Sequence, residues 1–236
     1  MKKLLIIPII LVWIGACSPS PEELYKTGIE QLESGDYSNA ISYFDKVIEA
    51  DPEHTQAYNA KGVALFEMKK WDEAINAFEA SMELDSTSYK PYLNKGNALL
   101  EKQEFNEAVV QFNQAAALDD SQTDIYYNRG LALLGMERYE DAIFDFNTAL
   151  QAGSTEGLLY FNKAKAQIGN NDPMGAILSL EKAVQQEHDN GAAYYLLGVT
   201  IMSAEGKKEE GCIHLQKALD LGYEEAREWI DEFCAK

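Results

Sequence analysis

Residues 55–88 read TQAYNAKGVALFEMKKWDEAINAFEASMELDSTS, and residues 89–122 read YKPYLNKGNALLEKQEFNEAVVQFNQAAALDDSQ. Laid one over the other, they align Tyr58 with Tyr92, Gly62 with Gly96, Trp71 with Phe105, Ala74 with Ala108 and Phe78 with Phe112, every pair at the same interval. The spacing runs outward in both directions. Gly28, Gly62, Gly96 and Gly130 are continued by Ala164 and Gly198. Ala40, Ala74, Ala108, Ala142 and Ala176 form a second series, Phe44, Phe78, Phe112, Phe146 and Leu180 a third, and Tyr37, Trp71, Phe105 and Tyr139 a fourth. A fixed period of this length marks stacked supersecondary units.

Each unit reads as two helices. An aromatic residue or leucine stands four residues before the small residue, at Leu24, Tyr58, Tyr92, Tyr126, Tyr160 and Tyr194, so that both share one face of a first helix. The missing or minimal side chain lets a second helix approach. A short turn such as Ser34-Gly35-Asp36 follows, and alanine and phenylalanine four residues apart then share a face of the second helix. Asp51-Pro52, Asp85-Ser86 and Asp119-Asp120-Ser121 end it. A lone hairpin cannot bury its apolar face, so neighbours must stack.

This pattern resembles the tetratricopeptide family over residues 21–222. The resemblance implies an all-α, right-handed superhelix (an α-solenoid) of six helical hairpins, at 21–54, 55–88, 89–122, 123–156, 157–190 and 191–222, with a capping helix over 223–236. There are departures. Only Pro52 keeps the family's closing proline; Ser86, Asp120, Ser154 and His188 replace it and still break helices. Pro173 replaces the aromatic that opens a second helix, with Asp172 placed to cap it. The Gly169-Asn170-Asn171 run suggests a looser fifth hairpin, and the sixth unit carries one extra residue near Gly206. In the segment Tyr223–Cys234, Ala226, Trp229, Ile230 and Phe233 fall on one side. Covering the last repeat is one reading of it, a separate partner-binding helix the other.

The beginning of the chain has another character. Met1-Lys2-Lys3 is positive, Leu4–Ile14 is apolar apart from Pro8, and Ile14-Gly15-Ala16-Cys17 follows. The run has the proportions of a signal peptide rather than of a membrane span. Small residues before a cysteine resemble the bacterial lipobox. The resemblance implies that residues 1–16 are a leader, that Cys17 is lipidated, and that residues 17–21 form an extended tether. It also implies anchoring to a bacterial membrane, the outer one on its periplasmic side. Cleavage near Ala16 without lipid, or an uncleaved anchor, are the other readings. The net charge of −19, from 20 basic and 39 acidic residues, becomes −21 once Lys2 and Lys3 are lost. So acidic a chain, with no basic stripe, excludes nucleic acid as a partner. Hydrophobic residues make up 46%, enough for a core.

Chemistry is hard to find. His54, His188 and His214 stand at unrelated repeat positions, and there is no His-Glu-x-x-His, Cys-x-x-Cys or glycine-rich phosphate loop. Cys212 and His214 are too small a pair for structural zinc, which takes four ligands. No enzyme activity, metal or cofactor is expected. If Cys17 carries lipid, Cys212 and Cys234 are the two remaining thiols in an oxidising setting. They lie ten residues before and twelve after Gly222, where two packed helices would bring them side by side. A disulfide is one reading. Two packed thiols is the other, because Cys212 holds the aliphatic position of Ile41, Ile75, Val109, Ile143 and Ile177.

Function is sought on the inner surface. In the family that this chain resembles, the first helices line a concave groove that holds a partner's peptide or helix. Here the corresponding stripe is Tyr25, Asn59, Leu93, Tyr127, Phe161 and Tyr195, followed four residues later by Ile29, Val63, Asn97, Leu131, Lys165 and Val199. Asn94, Asn128 and Asn162 recur beside the first row and are placed to hydrogen-bond an extended peptide. The basic cluster with which chaperone-tail binders grip a carboxylate is replaced by Leu93, Leu158 and Phe161. The expected partner is therefore an apolar or amphipathic protein segment, bound at micromolar strength, about −8 kcal/mol. The expected role is a lipid-anchored interaction scaffold of the cell envelope. The alternative is an assembly factor for an outer-membrane machine, since type IV pilus pilotins and outer-membrane assembly lipoproteins are similar in repeat type.

Overall fold

In the computed structural model, which describes residues 19–154 and 156–234, the repeating units become six helix pairs. They are α1 (Pro21–Glu33) with α2 (Tyr37–Ala50), α3 (Thr55–Glu67) with α4 (Trp71–Leu84), and α5 (Tyr89–Glu101) with α6 (Phe105–Leu118). The series continues with α7 (Thr123–Gly135) and α8 (Tyr139–Gln151), α9 (Gly157–Gly169) and α10 (Pro173–Gln186), and α11 (Gly191–Glu205) and α12 (Lys208–Asp220). No strand occurs among the described residues. The leader, Cys17 and the start of the tether lie outside them. Ser20, in extended backbone, caps α1: its hydroxyl accepts from the Glu23 amide at 3.2 Å and its own amide donates to the Glu23 carboxylate at 2.9 Å.

The hairpin turn is the same device five times. Gly35, Lys69, Gln103, Glu137 and Asn171, one repeat apart, all have φ between 57° and 81°. The following amide returns to the carbonyl five residues back, as from Lys70 to Leu65 and from Glu104 to Leu99, both at 2.9 Å. This closure satisfies carbonyls that the helix end would leave open.

Within each pair the small residue and the ring fit each other. A Cβ at Gly28, Gly96 or Gly130 would fall 2.6, 2.5 or 2.7 Å from the ring of Phe44, Phe112 or Phe146. Gly62 stands in the same relation to Phe78. All four rings are fully buried. In the fifth pair Ala164 and Leu180 share one core cluster, so the extra carbon on one helix is matched by a smaller partner on the other.

The expected looseness of that fifth pair is not seen: α9 and α10 pack as closely as the other pairs. Asp172 caps α10 by accepting from the Gly175 amide at 2.9 Å, with Pro173 in the first turn. The buried Ser179 hydroxyl donates to Gln167 at 2.6 Å across the pair. A proline that starts a helix and a buried polar bond compensate for the lost aromatic.

The first helices α1, α3, α5, α7 and α9 touch in series, closer together than the second helices are. They therefore form the concave side. After α12 the chain turns at Gly222 and forms α13 (Ala226–Trp229), which runs directly into a π-helical turn at Ile230–Cys234. This is shorter and wider than the single helix expected from Tyr223 onward. Ala226 is buried with Leu215 and Ala218, and Trp229 and Ile230 pack over them. Phe233 instead rests its ring on Trp229, with centroids 5.1 Å apart, and stays partly exposed. The π turn brings Cys234 to Cys212, where the two form a disulfide with Cα atoms 5.8 Å apart.

Candidate functional site

The inner stripe falls on the facing first helices. Tyr25 and Ile29 lie on α1, Asn59 and Val63 on α3, Leu93, Asn94 and Asn97 on α5, Tyr127, Asn128 and Leu131 on α7, Phe161, Asn162 and Lys165 on α9, and Tyr195 and Val199 on α11. All are half-buried except Lys165, which is exposed, with its ammonium 5.8 Å above the Phe161 ring. The tyrosines are rooted in the core: Tyr25 packs on Phe44 at 5.9 Å between centroids and Tyr127 on Phe146 at 6.1 Å. Burial pushes both phenols above their usual pKa. Tyr25 also packs on His54, which caps α3 by accepting from the Ala57 amide at 3.2 Å.

The asparagines do not stand free for a ligand. Asn94 donates to Asn59 at 3.0 Å, Asn128 to Asn97 at 2.9 Å, and Asn162 to the Tyr127 hydroxyl at 3.1 Å and to the Leu158 carbonyl at 3.0 Å. They form a ladder between neighbouring first helices, and much of their bonding capacity is used along the groove floor. Tyr195 and Val199 are also set apart from the open stripe. Both pack into the C-terminal cluster, and Tyr195 meets Tyr223 at 5.1 Å.

A depression of about 610 Å³ opens between α7, α9 and α11, lined by Leu131, Leu134, Glu137, Asn162, Lys165, Ile168 and Leu196, with Phe105 and Tyr139 at one side. Leu134, Ile168 and Leu196 do not appear in the two rows read from sequence. Two further glycines shape it. The Phe105 ring lies where a Cβ at Gly135 would be 2.6 Å away, and Tyr139 takes the same place at Gly169. One and two repeats before Gly135 the residues are Glu101 and Glu67, with Glu33 before them. This change from glutamate to glycine is legible in the sequence as a second glycine pair one repeat apart.

Sequence spacing also misses the polar bonds behind the groove. The Arg129 guanidinium donates to Asp145 through two nitrogens, each at 2.7 Å, and to Asn113 at 2.7 Å. Its hydrogen bonds to the Asp145 carboxylate hold the Arg129 guanidinium above its usual pKa. Lys163 shifts the other way: burial lowers its pKa, against a smaller pull from Asp172. Among the described residues no three His, Cys, Asp or Glu side chains gather to hold a metal. Cys212 is in the disulfide, and His214 stacks on Tyr194, where burial lowers its pKa.

Three family models match the chain: tetratricopeptide repeat at residues 25–89 and again at 123–152, and TPR repeat at 96–137, together more than half its length. The chain belongs to the tetratricopeptide-repeat family. Solved tetratricopeptide structures superpose on it. PilF of Pseudomonas aeruginosa is 19% identical with a TM-score of 0.76, covering 90% of this chain and 97% of its own. YrrB, described as a TPR protein with an unusual peptide-binding site, is 23% identical with a TM-score of 0.66, covering 75% and 91%. MamA of Desulfovibrio magneticus is 18% identical with a TM-score of 0.67, covering 74% and 99%. At these identities the likeness speaks for the tetratricopeptide fold alone. No curated protein matches the chain.

Proposed function

We propose that this chain is a lipid-anchored scaffold of the bacterial cell envelope that holds an apolar or amphipathic segment of another protein in its concave groove. The observation that carries the reading is the mostly apolar depression lined by Leu131, Leu134, Ile168 and Leu196, which begins one helical turn along α7 and α9 from Tyr127 and Phe161. The Asn162 amide nitrogen in it already donates to Tyr127 and Leu158. An apolar side chain can cover that nitrogen without leaving it unpaired. The glutamates at Glu33, Glu67 and Glu101, all exposed, favour such a segment over an acidic tail. That YrrB, of the same fold, is described with a peptide-binding site supports the choice of the groove. The lipobox-like residues before Cys17 support the anchor, and the Cys212–Cys234 bond supports an oxidising compartment.

Replacing both Tyr127 and Phe161 with alanine tests the groove. The expected result is loss of partner capture in cells, read by crosslinking from Ile168, with helix content unchanged. Undiminished crosslinking would reject the assignment. Blocking the lipoprotein signal peptidase tests the anchor: the unprocessed chain should migrate more slowly, and unchanged mobility counts against lipidation. Loss of pili or of outer-membrane protein assembly on deletion would narrow the scaffold to an assembly factor.

A further inference from the structure

Two cavities on the concave side stand at the same place in two different repeats. The smaller, about 150 Å³, is lined by Val63, Phe66, Glu67, Phe78, Asn94 and Asn97. Two repeats further along, Leu131, Leu134, Gly135, Asn162 and Lys165 hold the positions of Val63, Phe66, Glu67, Asn94 and Asn97, and all five line the large depression. Val63, Asn94 and Asn97 belong to the inner stripe of α3 and α5, as Leu131, Asn162 and Lys165 belong to that of α7 and α9. One segment lying along the groove therefore passes over both.

The cavities differ in size and in charge. Phe66, packed on Trp71 with ring centroids 4.9 Å apart, is bulkier than Leu134, and Glu67 brings a side chain where Gly135 has none. The large depression holds one charge of each sign, Glu137 and Lys165, beside Leu131, Leu134, Ile168 and Leu196. The small cavity holds a carboxylate, Glu67, and no cation. The lysines nearby are placed otherwise: Lys70 pairs with Glu73 at 3.3 Å, Lys102 with Asp72 and Glu104, both at 2.7 Å, and Lys69, on the turn, is not part of the wall. Asn94 donates to Asn59 and Asn97 accepts from Asn128, so both amides are engaged with neighbouring helices.

On the reading that the concave groove binds a protein segment, we infer that one such segment engages both cavities, setting a basic side chain against Glu67 and a bulky apolar one into the depression beside Gly135. An arginine or lysine entering the small cavity meets a carboxylate and amide walls. An acidic side chain there is repelled, and an apolar one strips water from the carboxylate without replacing it. In the large depression the opposite charges of Glu137 and Lys165 leave no net charge to match, and the aliphatic walls favour an apolar side chain. The two unequal cavities give the segment a direction, with its basic part over α3 and α5 and its apolar part over α7, α9 and α11. First helices lie roughly 10 Å from one to the next, so two repeats set these side chains about 20 Å apart. That span is about six residues of extended chain or about thirteen of helix.

Fluorescence anisotropy of the full chain with labelled peptides tests this. Each peptide carries one arginine and one tryptophan in a neutral host of glutamine and alanine, about three, six, nine or thirteen residues apart. Binding should peak at six or at thirteen. For the peptide that binds best, Glu67→Gln should weaken binding about fivefold, and replacing the peptide's arginine with glutamine should then cost nothing further. Ile168→Glu, at a partly exposed position, should weaken it about tenfold with helix content unchanged. Binding that ignores the separation, equal losses from Glu67→Gln with and without the arginine, or no binding by any peptide at about 1 mM would overturn the inference. Failure of the groove itself looks different: the best peptide would bind the Tyr127→Ala, Phe161→Ala double variant as tightly as the wild type, which overturns both.

Discussion

Arg129 on α7 and Asp145 on α8 are joined by two 2.7 Å hydrogen bonds, and the carboxylate that receives them is 1% exposed. Buried so fully, Asp145 depends on its partner. Arg129→Ala should lower stability by about 3 kcal/mol, because an unpaired charge remains in the core. Replacing both, Arg129→Met with Asp145→Leu, should recover most of that loss. Urea unfolding measures both. A single variant no less stable than an ordinary surface substitution, within about 0.5 kcal/mol of wild type, would show that the pair contributes little.

The fit of glycine to phenylalanine makes a second test. Gly96→Ala brings a methyl to 2.5 Å from the Phe112 ring. Overpacking of this kind costs about 1–3 kcal/mol, against about 1 kcal/mol gained from alanine's helix propensity. The expected net loss is about 1 kcal/mol. Adding Phe112→Leu reproduces the Ala164–Leu180 pair of the fifth repeat, and the two changes together should be less harmful than the sum of each alone. Strict additivity in a double-mutant cycle would mean that the two residues are not coupled.

These two cases also mark what the sequence reveals. The Gly–Phe pairing was legible because both members recur in each of the first four repeats and both are needed by the same hairpin. The Arg129–Asp145 pair was not, because only its basic member recurs: Lys61, Lys95 and Lys163 hold the position of Arg129, but Ala77, Gln111 and Ser179 hold that of Asp145. The asparagines were legible as a series, but their direction was not: whether an amide points to a ligand or to the next helix depends on the stacking distance between first helices. The groove's depression was missed for a related reason. Gly135 and Gly169 act on Phe105 and Tyr139 of the preceding repeat, so their effect crosses a repeat boundary that the alignment of units treats as a seam.

His214 makes stability depend on pH. Burial lowers its pKa in the folded chain, with smaller opposing effects from Glu210 and Glu181. An unfolded histidine, with a pKa near 6.5, therefore takes up its proton first as pH falls. The stacking of His214 on Tyr194 thus favours folding above about pH 6.5, and this contribution is lost as pH falls through the lower folded value. Urea midpoints between pH 7.5 and 5 should fall more for wild type than for His214→Gln. The carboxylates titrate in both proteins and cancel in the difference. Parallel curves would show that the ring is free to protonate where it stands.

Cys212 and Cys234 close a loop with a sequence separation of 22, which constrains the unfolded chain by about 3 kcal/mol in the chain-entropy estimate. In a stacked array each unit contacts only its neighbours, so the effect should stay at one end. Cys234→Ser, or reductant, should speed amide exchange in α12 and α13 while leaving α1–α8 unchanged. The terminal segment covers Leu215 and Ala218, so its release also exposes the face of the last repeat. Tyr195 would then lose Tyr223 and join the open groove. Labelling the unfolded chain without reductant gives the direct measurement. Neither Cys212 nor Cys234 should react, and reaction at both would mean that the end of the array is held by packing alone.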